Sequence, residues 1–214
     1  VEGEPLYVEE KSIMYLMARA AKQAGTPAIR TSSIRDVIAI KEETGLPVIG
    51  LVKVQYPGYE GFITPTMKEV DDLVAAGSDI VALDCTLRKR GDGSTVNEFI
   101  AQIREKYPDI ILMADISNYE EGINAWKCGV DIVGTTMSGY TAYTSSVSDG
   151  PDYELMERLS RDINIPVIGE GRIHYPDQAV KALQTGAWAI VVGGAITRPL
   201  EIAMRFQNAI KESR

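Results

Sequence analysis

The chain has 214 residues, of which 45% are hydrophobic and 24% charged, and its formal net charge is -8. This composition excludes a disordered chain and fits one folded domain, residues 1–214. The acidic balance argues against nucleic acid as a partner, and the lack of an 18-residue apolar run argues against a membrane span. The two cysteines, Cys85 and Cys128, predict free thiols in a reducing cytoplasm, and with one histidine we expect no metal site.

Short β-branched runs alternate with amphipathic helical stretches along the whole chain. The first helix has an apolar stripe that includes Ile13, Leu16 and Met17, and the last begins at Pro199. Three helix starts show a hydroxyl residue followed three positions later by glutamate: Thr66–Glu69, Thr95–Glu98 and Ser117–Glu120. The nearly continuous apolar runs that predict strands are residues 27–31, 47–53, 79–86, 110–117, 130–138, 166–171 and 189–194.

This alternation predicts a parallel sheet, either a closed (β/α)₈ TIM barrel or an open doubly wound sheet. The barrel is favoured because no G-x-G-x-x-G follows an early strand and because polar residues end nearly all the strands. The runs number seven, whereas this barrel has eight strands. We therefore expect the missing strand to be the first, in sequence upstream of Val1.

Charged residues stand at the carboxyl ends of five predicted strands, where a barrel enzyme carries its active site. Burying an unpaired charge costs several kcal/mol, so such residues are retained when they pair or when they act in chemistry. The alternative is a ring of salt bridges across the barrel mouth. The five residues are Arg30, Lys53, Asp84, Asp115 and Glu170.

Lys53 is the candidate proton-transfer base, because burial or a neighbouring cation such as Arg30 lowers the pKa of a lysine toward neutrality. A lysine here also suits a Schiff base with a carbonyl substrate, and a plain ion pair with Asp84 is the structural alternative. Glu170 is a second candidate acid or base. Asp84 and Asp115 suit hydrogen bonding to sugar hydroxyls or orientation of the lysine.

The segment 191–199 (VVGGAITRP) is the candidate phosphate site, because a Gly-Gly turn that opens a helix presents free N–H groups. Its candidate ligands are Gly193, Gly194 and Arg198, together with Gly171 and Arg172 from the segment 169–173 (GEGRI). A plain tight turn is the alternative.

The hydroxyl-rich loop 138–148 follows the fifth predicted strand and suits sugar recognition or a lid, with a plain surface loop as the alternative. The run Arg88-Lys89-Arg90 is expected to be a solvated loop, or else to cover the mouth. The candidate substrate-binding residues of the strand end and loop are Thr135, Ser138, Tyr140 and Thr141.

Seven segments together resemble the N-acetylmannosamine-6-phosphate 2-epimerase family, from about Glu4 to Ile210. They are PVIGLVK (47–53), ITPTMKEVD (63–71), ALDCT (82–86), MADIS (113–117), GTTMSGYT (134–141), GEGRI (169–173) and VVGGAITRP (191–199). The resemblance implies a ribulose-phosphate-binding (β/α)₈ barrel that interconverts N-acetylmannosamine 6-phosphate and N-acetylglucosamine 6-phosphate in sialic acid breakdown. It implies no metal or organic cofactor, and commonly a homodimer.

By position, the resemblance places the family's catalytic lysine and glutamate on Lys53 and Glu170. It places substrate contacts on Arg30 and Asp115, and the phosphate segment on Gly171, Gly193, Gly194 and Arg198. The family also has a first strand with a substrate-contacting glutamine, to which nothing here corresponds. Two other functions stay open: a Schiff-base aldolase that uses Lys53, and a non-catalytic sugar-phosphate sensor.

Overall fold

The computed structural model describes residues 5–8, 12–145 and 150–213. All seven expected strands are present, each shorter than its apolar run. The strands are β1 (Ile29–Ser32), β2 (Val48–Leu51), β3 (Ile80–Asp84), β4 (Ile111–Asp115), β5 (Ile132–Gly134), β6 (Val167–Glu170) and β7 (Ala189–Val191). The helices are α1 (Met14–Gln23), α2 (Ile34–Thr44), α3 (Met67–Ala75), α4 (Val96–Lys106), α5 (Tyr119–Lys127), α6 (Tyr153–Asp162), α7 (Pro176–Gln184), α8 (Gly194–Thr197) and α9 (Pro199–Glu212).

The seven strands are all parallel and pair in chain order, from β1 at one edge to β7 at the other. The sheet curves so far that the side chain of Arg30, on β1, contacts Glu170 on β6. This nearly closed barrel confirms the expected fold class. Within the described residues, β1 pairs only with β2 and β7 only with β6, so the barrel is open between these two strands.

Two apolar layers explain why the strands are apolar on both faces. The larger layer lies between the sheet and the helices and includes Leu73, Phe99 and Leu112. The smaller layer fills the barrel interior and includes Ile49 and Met113. Side chains alternate across each strand, so a strand buried on both faces needs apolar residues at nearly every position.

The sequence located most helix starts correctly. Thr66–Glu69 and Thr95–Glu98 each form the expected reciprocal capping box. The expected Ser117–Glu120 pair is wrong, because α5 begins one residue later. Asn118 accepts the cap hydrogen bond from the N–H of residue 121, and Ser117 donates to Glu121 instead.

The C-terminal helices differ from the rest of the fold. No side chain of α9, whose residues the structure describes throughout, is buried. Phe206 is 68% exposed, and Trp188, just before β7, is 72% exposed. Val180 and Leu183 on α7 are also exposed, so α7 and α9 carry an apolar surface that the described part of the chain leaves uncovered. None of the described helices is sufficiently long and apolar to span a bilayer.

Candidate active site

Four of the five predicted charged residues form one cluster, and the fifth, Asp84, is the last residue of β3. Arg30 is the second residue of β1, not its last as the sequence predicted. Arg30 leans across the barrel, and its guanidinium lies 2.7 Å from a carboxylate oxygen of Asp115 and 3.2 Å from one of Glu170. Asp115 is the last residue of β4 and Glu170 the last of β6, which explains why both meet at this end. Lys53 lies two residues beyond β2, where an isolated antiparallel bridge to Ile63 holds its backbone.

The pKa values of this cluster are shifted in the directions that proton transfer requires. Burial and the Arg30 charge lower the pKa of Lys53, against the opposing effect of Glu170. Burial raises the pKa of Glu170 to about 7, with a further contribution from the Asp115 charge. Arg30 remains a cation, because Asp115 and Glu170 outweigh its burial and raise its pKa. A lysine and a carboxylic acid with pKa values moved toward neutrality suit acid–base catalysis.

The two adjacent threonines after β5 point to different partners. The hydroxyl of Thr135 is fully buried, donates to the carbonyl of Glu170 and accepts from the N–H of Glu170. Because both contacts are to backbone, Thr135 supports β6 and does not present its hydroxyl to the mouth. Thr136 instead reaches the carboxylates of Asp115 and Glu170, at 2.6 and 3.2 Å. Thr136 is thus the site residue that the predicted set of substrate contacts lacked.

Asp84 pairs with an arginine from its own loop. Its carboxylate lies 2.5 Å from the guanidinium of Arg88, and its other oxygen accepts from the hydroxyl of Thr86. Burial raises the pKa of Asp84 against these partners. The expectation of a solvated Arg88-Lys89-Arg90 run is wrong for both arginines. The side chain of Arg88 is 13% exposed, and that of Arg90 is 8% exposed and stacks on Phe99.

Up to residue 145, the hydroxyl groups of the hydroxyl-rich loop mostly bond to other protein groups and not to the mouth. Ser138 is buried and donates to Asp152, and Thr141 is buried against the hydroxyl of Thr144. Tyr140 is 57% exposed, and the guanidinium of Arg172 lies over its ring. Of the three predicted loop contacts, Tyr140 is therefore the accessible one. Residues 146–148 of the predicted loop lie outside the described residues.

The Gly-Gly turn ends β7 and opens α8, as the sequence predicted. A Cβ added to Gly193 would have no atom within 4 Å, so open space lies beside this residue. Arg198 follows α8 and pairs with Glu201 at 2.6 Å. Arg198 is also close enough to help lower the pKa of Lys53. The turn and the proton-transfer cluster therefore share one mouth.

Two buried glutamates hold the loops around this mouth, and their contacts with distant loops could not be predicted from local sequence patterns. Glu121, on α5, accepts from the N–H of Leu87, from the N–H and hydroxyl of Ser117, and from the hydroxyl of Tyr143. One carboxylate thereby ties together the loops that follow β3, β4 and β5. Glu69, on α3, accepts from the hydroxyl of Tyr56 in the loop after Lys53.

The fold and this cluster define a class of protein: a (β/α) barrel with an acid–base site at the carboxyl ends of its strands. Within the described residues, no three His, Cys, Asp or Glu side chains are placed to hold a metal ion. The lysine, arginine and carboxyl groups gathered at the mouth suit proton transfer and anion binding.

Comparison with known proteins identifies the family. Residues 14–212 match the family model NanE, described as "Putative N-acetylmannosamine-6-phosphate epimerase". A protein of Caldanaerobacter subterraneus subsp. tengcongensis, named "Putative N-acetylmannosamine-6-phosphate 2-epimerase", is 55% identical over 100% of this chain and 89% of its own length. One of the same name from Enterobacter is 46% identical over 99% of this chain and 89% of its own length. The chain belongs to the N-acetylmannosamine-6-phosphate epimerase family.

Solved structures agree with the family assignment. The N-acetylmannosamine-6-phosphate 2-epimerase from Clostridium perfringens is 48% identical and superposes with a TM-score of 0.91, over 98% of this chain and 89% of that one. The thiamine phosphate pyrophosphorylase from Pyrococcus furiosus has a TM-score of 0.59 at 19% identity, over 92% of this chain and 89% of its own. The second likeness shows the barrel fold alone.

Proposed function

We propose that this chain interconverts N-acetylmannosamine 6-phosphate and N-acetylglucosamine 6-phosphate, as an isomerase of amino-sugar and sialic acid breakdown. The observation that carries the proposal is the convergence of Lys53 and Glu170 at one mouth, with pKa values shifted toward each other. The two sugars differ only in configuration at carbon 2. An enzyme for this change must remove and return one proton there.

The reaction needs a base that faces an acidic carbon. Carbon 2 of the open-chain sugar lies beside the carbonyl carbon, so loss of its proton gives an enolate. The free amine of Lys53 takes this proton, and its return to the opposite face inverts the centre. A positioned base contributes roughly 10²–10⁴-fold to the rate. Stabilisation of the developing enolate charge supplies a further large part.

Arg30, Asp115 and Glu170 are proposed to surround the reacting carbons. Arg30 is a cation held by two carboxylates, so it can face the enolate oxygen without reorganising. Glu170 in its protonated form is a hydrogen-bond donor and a second acid. Asp84 and Tyr140 are the proposed contacts for sugar hydroxyls farther out, whereas Thr135, Ser138 and Thr141 act by shaping the strand end and loop.

The phosphate is proposed to bind at the turn beyond β7. Gly193 has open space beside it, whereas a Cβ added to Gly194 would meet the carboxylate of Glu201. Gly171 lies beside the carbonyls of Thr135 and Thr136, and the guanidinium of Arg172 lies against Gly139 and over Tyr140. Arg198 supplies the charge-assisted contact, in exchange for its pairing with Glu201. Replacing Arg198 by methionine is expected to raise KM for the phosphorylated sugar roughly tenfold to a hundredfold, the value of a hydrogen bond to a charged group. An unchanged KM would place the phosphate elsewhere.

The central test measures turnover of N-acetylmannosamine 6-phosphate in deuterated water by NMR. We expect deuterium at carbon 2 of the product, and loss of turnover by roughly 10²–10⁴-fold in Lys53→Met. Lys68→Met, on a side chain that is 71% exposed, is the matched control and keeps full activity. Turnover without solvent deuterium would refute the enolate. A covalent adduct at Lys53 after borohydride treatment would favour the Schiff-base aldolase.

A homodimer is proposed from the uncovered apolar surface of α7 and α9. Phe206 and Trp188 are largely exposed, and burying such side chains against a second copy is favourable by about 25 cal/mol per Å². Light scattering should give twice the chain mass, and Phe206→Glu should give the monomer mass. A monomeric wild type would refute the dimer.

We place the enzyme in the cytoplasm and treat residues 1–214 as one domain. A sugar phosphate is charged and does not cross a bilayer unaided, and both cysteines of the chain are free thiols. Cell fractionation followed by activity measurement tests the location. Coincident unfolding transitions by fluorescence and circular dichroism test the single domain.

A further inference from the structure

Four side chains at the mouth form a closed ring of contacts. Asp115 uses one carboxylate oxygen for Arg30, at 2.7 Å, and the other for the hydroxyl of Thr136, at 2.6 Å. Glu170 repeats the arrangement, with one oxygen 3.2 Å from Arg30 and the other 3.2 Å from Thr136. The two carboxylates are thus bridged on one side by a cation and on the other by a hydroxyl.

The number of hydrogens in the ring restricts its protonation state. A threonine hydroxyl has one hydrogen to donate and two lone pairs with which to accept. The shorter contact assigns that hydrogen to Asp115, which leaves the oxygen of Thr136 facing an oxygen of Glu170. If Glu170 were ionised, the second contact would hold no hydrogen and would be repulsive. If Glu170 is protonated, its own hydrogen fills the contact and the ring is complete.

The charges around Glu170 permit this state. Arg30 on β1 and Lys53 beyond β2 are the cations that act on Glu170, and Asp115 on β4 is the other carboxylate. Arg198 acts on Lys53. Moving one proton from the ammonium of Lys53 to the carboxylate of Glu170 leaves the net charge of the mouth unchanged. The raised pKa of Glu170 and the lowered pKa of Lys53 have the directions that this exchange needs, whereas a Thr136 hydroxyl that donated to Glu170 would act the other way and lower the pKa of Glu170.

We propose that Thr136 is a positioning residue whose hydroxyl donates to Asp115 and accepts the proton of neutral Glu170, so that Lys53 remains a free amine. In the exchange, an N–H bond of Lys53 breaks and leaves its electron pair on nitrogen, while an O–H bond forms on Glu170. The inference rests on the proposed function for its purpose, because the free amine of Lys53 is the base that removes the proton from carbon 2. The four contacts of the ring do not depend on which substrate the site binds.

The test compares Thr136→Val, which removes the hydroxyl at nearly constant shape, with Thr136→Ser, which retains it. The first readout is an infrared titration of the substrate-free protein, in which the carbonyl band of a protonated carboxyl is assigned by its loss in Glu170→Gln. We expect the band to disappear at a pH about one unit lower in Thr136→Val, a tenfold change in the proton equilibrium, and to return in Thr136→Ser. If the hydroxyl donated to ionised Glu170 instead, the shift would be upward.

The second readout is the pH profile of kcat, which needs a free lysine amine. When Glu170 ionises at lower pH, its charge holds the proton on Lys53 more strongly. The acidic limb of the profile should therefore move to higher pH in Thr136→Val, by about one unit, and should return in Thr136→Ser. Thr185→Val, which removes a hydroxyl bonded to backbone in α7, is the remote control.

The two readouts separate the inference from the proposed function. An infrared band that stays in place or moves upward in Thr136→Val overturns the role of Thr136, whatever the enzyme turns over. A wild type that does not epimerise the sugar phosphate overturns the proposed function, while the infrared result still decides the inference. A uniform loss of kcat at every pH, with no movement of the limb, would mean that Thr136 has only a structural role.

Discussion

Replacing Glu170 by glutamine should stabilise the protein above neutral pH. Burial raises the pKa of Glu170 from 4.5 to about 7, so the folded state keeps a proton that the unfolded chain has lost. The folded state binds more protons over this interval, and the free energy of unfolding must therefore fall as the pH rises from 4.5 to about 7. Glutamine, which does not titrate, escapes this loss.

The size of the effect follows from the shift. A difference of about 2.5 pH units at about 1.4 kcal/mol per unit gives roughly 3–4 kcal/mol. The side chain is 16% exposed, so solvent screening removes little of it. The gain of Glu170→Gln over wild type should grow between pH 5 and pH 8 and then level off.

Urea denaturation of both proteins at four pH values measures the effect. Glu43→Gln is the matched control, because Arg19 lowers the pKa of Glu43 below its ordinary value of 4.5 instead of raising it. Its difference from wild type should stay constant over the range. Repeating the measurement in a Lys53→Met background removes the neighbouring amine from the comparison. A difference that is independent of pH, or a Gln variant that loses relative stability as pH rises, would refute a protonated Glu170.

Three further substitutions test other parts of the site. In Gly134→Ala the new Cβ would meet Cε of Met113 and would lie 3.2 Å from the hydroxyl of Thr136. Methionine can move aside, and Thr136 must shift by a few tenths of an ångström within its ring, so kcat should fall roughly tenfold with little change in Tm. In Glu121→Ala four donors lose their acceptor, and urea denaturation should show a loss of roughly 3 kcal/mol or more, against about 1 kcal/mol for the exposed cap in Glu98→Ala. Gly171→Ala places a side chain at φ +106°, and both Tm and activity should fall, by roughly 1–3 kcal/mol of stability; an unchanged Tm would mean that the backbone relaxes there.

The sequence was sufficient to locate the strands and to place Lys53, Asp115 and Glu170 at their carboxyl ends. These features depend on local patterns, because a charged residue that closes an apolar run must emerge at the end of its strand. The sequence also predicted the Gly-Gly turn at the start of α8. The sequence therefore predicted which residues stand around the mouth, but not which of them contact each other.

The sequence could not predict which side chains pair with each other across the mouth. The pairing of Arg30 with Glu170 depends on how far the sheet curves, and that of Asp84 with Arg88 depends on the path of a loop. The choice between Thr135 and Thr136 depends on side-chain direction in the first two residues beyond the short strand β5. Adjacent residues point to opposite faces, so a difference of one position exchanges a structural hydroxyl for one in the site.

Because Glu121 anchors the loops around the mouth, it affects which substitutions the rim of the mouth can accept. Its contact with the loop after β3 is made to the main-chain N–H of Leu87, whose side chain is 62% exposed. Every residue except proline offers that N–H, so the tether does not depend on which side chain stands there. New side chains at this position can therefore alter the rim that incoming molecules meet, while the path of the backbone stays the same.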